Sequence, residues 1–318
     1  MEITRPFEQN VIAMVWDFDK TLIRDYMQVP LFKRYGIDSK QFWDEVNALP
    51  EFYAKKGIHI NRDTSYLNHI LTYVKAGKMR GLSNQILRDC GKELELFPGL
   101  PEFFPKIKSL VEENEKFQKA GIKLEHYVVS TGFAETIRGS AVAPYLDGIF
   151  GCEFIEEPAQ PGFLTAAEKA LDGEISQVAS ALDNTSKTRY LFEINKGANK
   201  FETIDVNSQI AKSNRRIPFE NMIYIADGPS DVPAFSILNQ SGGVTYAIYP
   251  AHDRMAMRQV DALRKDHRIQ MYGEADYTED SMTWMWLSEQ VLRIAENLVA
   301  KQELNIRKSA SKPPAHLN

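Results

Sequence analysis

The sequence predicts an α/β protein: a parallel sheet that is interrupted, directly after its first strand, by a helical insertion. Two observations carry this. Apolar runs of strand length, beginning at Val11-Ile-Ala-Met-Val-Trp16, recur along the chain with helix-patterned stretches between them, the alternation expected of βαβ units. From about residue 24 to residue 96 that alternation stops and only helical periodicity remains.

The first run is apolar at every position, which suits a strand covered on both faces. Within the insertion, Asp38-Ser39 open a helix through Phe42, Trp43, Val46 and Leu49 that Pro50 is expected to end. A second helix follows from Asp63-Thr64 through Leu67, Ile70, Leu71 and Val74 to Gly77, and a third from Ser83 through Leu87 and Cys90 to Gly91. Pro98-Gly99 mark a turn, after which Pro101 to Lys119 reads as one further helix. Strand signals return at Tyr127-Val-Val-Ser130, at Gly148 to Ile155, at Met222 to Asp227 and at Val244 to Tyr249. The expected organisation is a core of 1–23 and 97–300, a helical block of 24–96, and a tail of 301–318 that is polar and proline-bearing after Lys308.

A chain of 318 residues exceeds the usual size of one domain, as this division requires. Its net charge of −5 argues against nucleic acid as a partner, since backbone binding needs a basic face. No apolar segment approaches the roughly 20 residues that span a bilayer, and the first residues lack an apolar signal core. A cytoplasmic location and no membrane partner are the expectation. Cys90 and Cys152 are too few for a disulfide framework or a thiolate metal site and read as buried thiols.

Polar residues gather where chemistry sits in such sheets, beyond the carboxyl ends of the strands. Asp17 and Asp19 are two apart, so on extended backbone both point to one side. Paired carboxylates repel unless a cation or shared proton offsets them; the plainer reading is a turn with Asp19 or Thr21 as a helix cap. Ser130-Thr131-Gly132 end a second strand with hydroxyls and free amides suited to an anion, or else cap the segment Ala134 to Arg138. Asp227-Gly228-Pro-Ser-Asp231 follow a third, with Gly228 permitting an unusual backbone angle. Mg²⁺ would suit Asp227 and Asp231, whereas a turn residue and a helix cap would explain them without a ligand. Lys187 opens a helix after Asp183-Asn-Thr-Ser; lysines there are commonly solvated.

In series, Asp17-Phe-Asp19-Lys-Thr21-Leu, Val128-Val-Ser130-Thr-Gly132, Lys187 and Asp227-Gly-Pro-Ser-Asp231 resemble the haloacid dehalogenase (HAD) superfamily of phosphohydrolases over about 11–250. The resemblance is to its phosphoserine-phosphatase-like branch, and implies a Rossmann-like parallel-sheet core with an inserted α-helical cap of the first type. It departs from that branch in two places. The stretch from Lys187 to Asp227 is long, implying an insertion near 197–217 and leaving Lys196 as the alternative lysine. Tyr26 stands where phosphoserine-specific enzymes carry a substrate-reading glutamate.

The resemblance implies a Mg²⁺-dependent phosphatase acting on a small-molecule phosphate monoester. Asp17 is the implied nucleophile and Asp19 the acid and base. Asp17, the Asp19 backbone carbonyl and Asp227 would hold Mg²⁺; Thr21, Ser130, Thr131 and Gly132 would bind phosphate. Lys187 supplies fixed charge and Asp231 a supporting contact. Alternatives on the same residues are a phosphotransferase or phosphomutase, a phosphoaspartate signalling receiver, or a catalytically silent binding protein. The aromatic residues Trp43, Phe52, Tyr53, Tyr66 and Tyr73 of that block could read a substrate under a closing cap, but helical packing explains them without a ligand.

Overall fold

The computed structural model describes residues 7–165 and 173–310, with side chains to 307. Strand β1 (Val11–Trp16) is buried along its whole length. Six helices then precede the next strand: α1 (Val29–Tyr35), α2 (Ser39–Ala54), α3 (Ser65–Lys75), α4 (Asn84–Gly91), α5 (Phe103–Glu112) and α6 (Glu115–Lys119). The chain continues through β2 (Lys123–Phe133), α7 (Ala134–Gly139), β3 (Gly148–Ile155) and β4 (Gln177–Ser180). Helix α8 (Lys187–Lys196) leads back to β5 (Met222–Ala226), followed by α9 (Val232–Gln240), β6 (Val244–Tyr249), α10 (Arg254–Lys265), β7 (Met271–Glu274) and α11 (Met282–Ala310).

The strands form one sheet of order β4-β3-β2-β1-β5-β6-β7, parallel throughout except that β4 runs antiparallel to β3. The expected α/β class is what forms. The chain winds from β1 toward β4, returns, and continues outward from β5. Strand order therefore reverses between β1 and β5, where ligands lodge in open α/β sheets. Asp17 N–H donates to the Ile225 carbonyl at 2.9 Å, fixing the end of β1 against β5 at that point.

Trp16 packs edge-on against Phe103, Phe104 and Tyr277 and donates from its indole nitrogen to Nδ1 of buried His126 at 3.3 Å. This binds α5 and the segment before α11 to the sheet's central strand. Aromatic pairs of this geometry add to the area they bury.

Several elements differ from the sequence reading. Pro50 lies inside α2 and does not end it; it sits one turn before the helix end, so the lost backbone donor costs only a bond in the last turns, while Phe42 packs the first half of the helix on Tyr73 and His69 of α3. The stretch from Pro101 to Lys119 is two helices, because Asn114 turns extended and its side chain caps Lys116 and Phe117. Helix α11 runs to Ala310, so 301–310 belong to it rather than to a tail, while 311–318 lie outside the described residues. Gly228 has φ of 174°, extended backbone that requires no glycine. Helix α1 and the short strands β4 and β7 were not anticipated; β4 is a half-exposed edge with no apolar run to signal it.

The segment between β1 and β2 contains no strand among the described residues beyond isolated bridges of Ile23 to Asp19 and Leu96. Its incoming and outgoing chains are stitched together by Arg24 N–H to Glu95 O and Phe97 N–H to Leu22 O, at 3.0 and 3.1 Å. Helix α4 lies so close to α7 that a Cβ on Gly91 would strike the Thr136 carbonyl, and one on Gly139 the Arg88 carbonyl. The Arg88–Glu135 ion pair spans the same contact.

Candidate active site

Three strand ends and one helix start meet beyond the carboxyl edge of the sheet. Asp17 closes β1, Ser130 lies three residues before the end of β2, Asp227 follows β5, and Lys187 is the first residue of α8. Ligand oxygens of Asp17, Asp227 and Asp231 lie within 4.8 Å of one another.

Lys187 is fully buried rather than solvated. Its Nζ donates to Asp17 Oδ1 at 2.6 Å and to Asp231 Oδ1 at 2.7 Å. The turn that presents it is closed by Asp183, whose carboxylate accepts from Ser186 N at 2.6 Å and whose carbonyl accepts from Lys187 N at 3.2 Å. Lys196 is excluded from the cluster: its ammonium donates to the carbonyls of Val206 and Ser208 across the 197–217 stretch.

Asp231 also accepts from Tyr224 Oη at 2.6 Å and from Ser230 Oγ at 2.8 Å. Although it stands at the cap position of α9, its side chain makes no capping bond. Three polar contacts, from Lys187, Tyr224 and Ser230, hold its carboxylate in place. Tyr224 was not singled out in the sequence. A tyrosine in the middle of an otherwise aliphatic buried strand, three residues before Asp227, was the available signal.

Asp19 turns to a different partner, accepting from the Met27 amide at 3.0 Å. Thr21 Oγ1 donates to Asp17 Oδ2 at 3.4 Å. Ser130, buried, accepts from Gly132 N at 3.0 Å, so that amide is engaged within its own loop. The Thr131 carbonyl accepts from Tyr66 Oη at 2.6 Å and from Cys152 Sγ at 3.2 Å. Met27 and Tyr66 thus bring the segment before β2 over the end of β2, and Met27 fills the space a side chain on Gly132 would need. Cys90 and Cys152 are both buried free thiols.

Burial dominates the electrostatics. It pushes the Asp17 carboxyl up to about 6 despite the opposing charge of Lys187. Burial, then the charge of Asp17, raises Asp227 to about 7, and the same two causes hold Asp19 well above the usual carboxylate range. Burial opposes the charge on Lys187, but Asp17 and Asp231 outweigh it and keep the ammonium protonated. A carboxylate cluster left this short of positive charge is suited to a hard cation, which takes oxygen ligands. Asp227, with no ion-pair partner among the described residues, and Asp17 fit such an ion; Asp231 is already committed to Lys187.

No protein-family model matches the chain. It is 38% identical over 288 residues to an uncharacterized protein of Borreliella burgdorferi, covering 89% of this chain and 97% of that one. The chain belongs to that protein's family. Solved structures that the family fold resembles include a HAD-family hydrolase from Salmonella enterica serovar Typhi, at 16% identity and a TM-score of 0.49, covering 85% of this chain and 68% of that one. A phosphoserine phosphatase in its apo form gives 15% identity and a TM-score of 0.44 over 82% and 92%. Scores of this size carry no argument about chemistry. The resemblance of this family member to the HAD superfamily stands on its own residues: the four motifs lie in that superfamily's order around one point at the carboxyl edge of a parallel sheet. No helix among the described residues is long and apolar enough to cross a membrane.

Proposed function

We propose that the protein is a HAD-type phosphatase that hydrolyses a small-molecule phosphate monoester through an aspartyl-phosphate on Asp17. The observation that carries this reading is the Asp17–Lys187–Asp231 chain of buried charge at a sheet's switch point. It fixes a carboxylate next to a permanent cation, where a phosphoryl group needs both.

In the first step a carboxylate oxygen of Asp17 attacks phosphorus and the bond from phosphorus to the ester oxygen breaks. Asp19, whose hold on a proton is strengthened by burial and by the charge of Asp17, gives a proton to that leaving oxygen. Asp19, now ionised, then accepts a proton from water as the water oxygen attacks phosphorus. The Asp17–phosphorus bond breaks, and inorganic phosphate and free Asp17 result. Lys187 holds positive charge against the phosphoryl oxygens, and Ser130 lies at the adjacent strand end to donate to one of them. Asp17, Asp227 and the Asp19 backbone carbonyl are the groups that would hold Mg²⁺; when bound it supplies charge neutralisation at the phosphoryl oxygens.

The test is phosphate release from a broad panel of monoesters, with and without Mg²⁺, in ¹⁸O-labelled water. Hydrolysis places one solvent oxygen in the phosphate, whereas a phosphotransferase places none. No phosphate chemistry on any ester would overturn the proposal.

A further inference from the structure

Between β1 and α1 a lysine occupies a backbone conformation that favours glycine. Lys20 has φ of 56°, in the left-handed region where most side chains meet their own backbone. Its ammonium lies over the face of Tyr26, 4.1 Å from the ring centroid, and among the described residues it takes part in no ion pair.

The position is the rim of the site. Lys20 lies between Asp19 and Thr21, and the Asp19 carboxylate holds the Met27 amide, which fixes Tyr26 beside the cluster. Burial works against the Lys20 charge, while Tyr26, then Asp227 and Asp25, favour it, and Tyr26 is 46% exposed. From Tyr26 an aromatic wall runs inward through Trp43, with centroids 6.5 Å apart, to Tyr66 at 5.8 Å from Trp43. The Tyr66 hydroxyl ends on the Thr131 carbonyl, one residue from Ser130.

We propose that Lys20, held by Tyr26, reads the leaving group, and that the substrate is a phosphate monoester bearing a second anionic group on its alcohol. This rests on the phosphatase reading above. An ammonium that leans on a ring and takes part in no ion pair among the described residues offers an arriving anion a charge with no salt bridge to break first. A substrate ammonium would meet a like charge at the same point.

The test compares alkyl phosphates with ω-carboxyalkyl phosphates and α,ω-alkane bisphosphates of matched chain length, using the Mg²⁺-loaded enzyme. The two anionic series separate a carboxylate from a second phosphate as the group read. Binding of the matching phosphonates, measured by calorimetry, gives the same comparison without turnover. Wild-type kcat/KM is expected to favour one anionic series by roughly tenfold to a hundredfold. Lys20→Gly keeps the left-handed backbone without strain and should erase that preference; Lys20→Glu should shift it toward ω-ammonioalkyl phosphates. Equal rates for charged and neutral esters, or a preference surviving both substitutions, would overturn the proposal and leave the phosphatase reading in place. Charge-selective phosphonate binding lost in Lys20→Gly, with no ester turned over, would support Lys20 and overturn the phosphatase reading instead.

Discussion

Lys187 Nζ and Asp17 Oδ1 stand 2.6 Å apart with both side chains buried, so the charge of each depends on the other. Removing one partner of such a pair leaves an uncompensated buried charge. Lys187→Met should therefore cost about 3–5 kcal/mol of stability as well as most turnover. Denaturant unfolding of the variant measures the first. A stability equal to wild type would mean that Asp17 and Asp231 find other partners.

Asp17→Asn keeps shape but removes the attacking carboxylate, and kcat should fall by several orders of magnitude. Asp19→Asn should behave differently, losing about 10²–10⁴-fold on esters with poor leaving groups. The loss should shrink as the leaving group improves, because a good one departs without a proton. A loss independent of leaving-group pKa would remove Asp19 from the acid role.

The clustered carboxylates cost the metal-free protein stability. With Asp17 raised to about 6 and Asp227 to about 7, the folded chain binds more protons than the unfolded one, whose carboxylates titrate near ~4. Stability from these groups thus declines as pH rises from about 4 to about 7. Asp227→Asn should raise the melting temperature in EDTA at pH 8, with the gain fading by pH 5. Thermal unfolding at the two pH values decides it; an unchanged or lower value at pH 8 would contradict the assigned repulsion.

His126 contributes with the opposite sign. It accepts from Trp16 at Nδ1, which leaves its proton on Nε2, and burial lowers its pKa to about 3. Its stabilisation is complete above the unfolded value near ~6.5 and is lost as pH falls toward 3, at up to about 1.4 kcal/mol per pH unit. His126→Gln retains an acceptor for Trp16 without titrating. Its unfolding free energy should fall less steeply with acid over this range than that of wild type; parallel profiles would rule His126 out as the cause.

Local signals were legible and pairings were not. The runs of β1, β5 and β6 announced themselves because strands covered on both faces are apolar or aromatic at nearly every position, Thr245 of β6 being the polar exception. The same reasoning could not see β4, whose edge position leaves it half exposed. Asp17, Asp19, Asp227 and Asp231 were visible because carboxylates at the ends of apolar runs are conspicuous. Lys187 was not decidable against Lys196 from spacing alone. Only folding shows that one ammonium is buried against two carboxylates while the other is spent on loop carbonyls. Met27 and Tyr66 reach the site across more than sixty residues of chain, a distance at which no local pattern speaks.

The contact of Gly91 with Gly139 has a consequence for how this architecture can be rebuilt. By chain order α4 belongs to the insertion, yet it meets α7 backbone to backbone, and its first turn is fastened by Asn84 N–H to Glu156 at 2.5 Å. Surfaces joined without intervening side chains cannot slide or part without losing that contact. For graft or exchange, the replaceable module therefore stops short of α4, in the turn where Gly77 and Gly81 take φ of 75° and 77°. A transplant cut at residue 96 would carry away part of the foundation on which the recipient's own sheet is built.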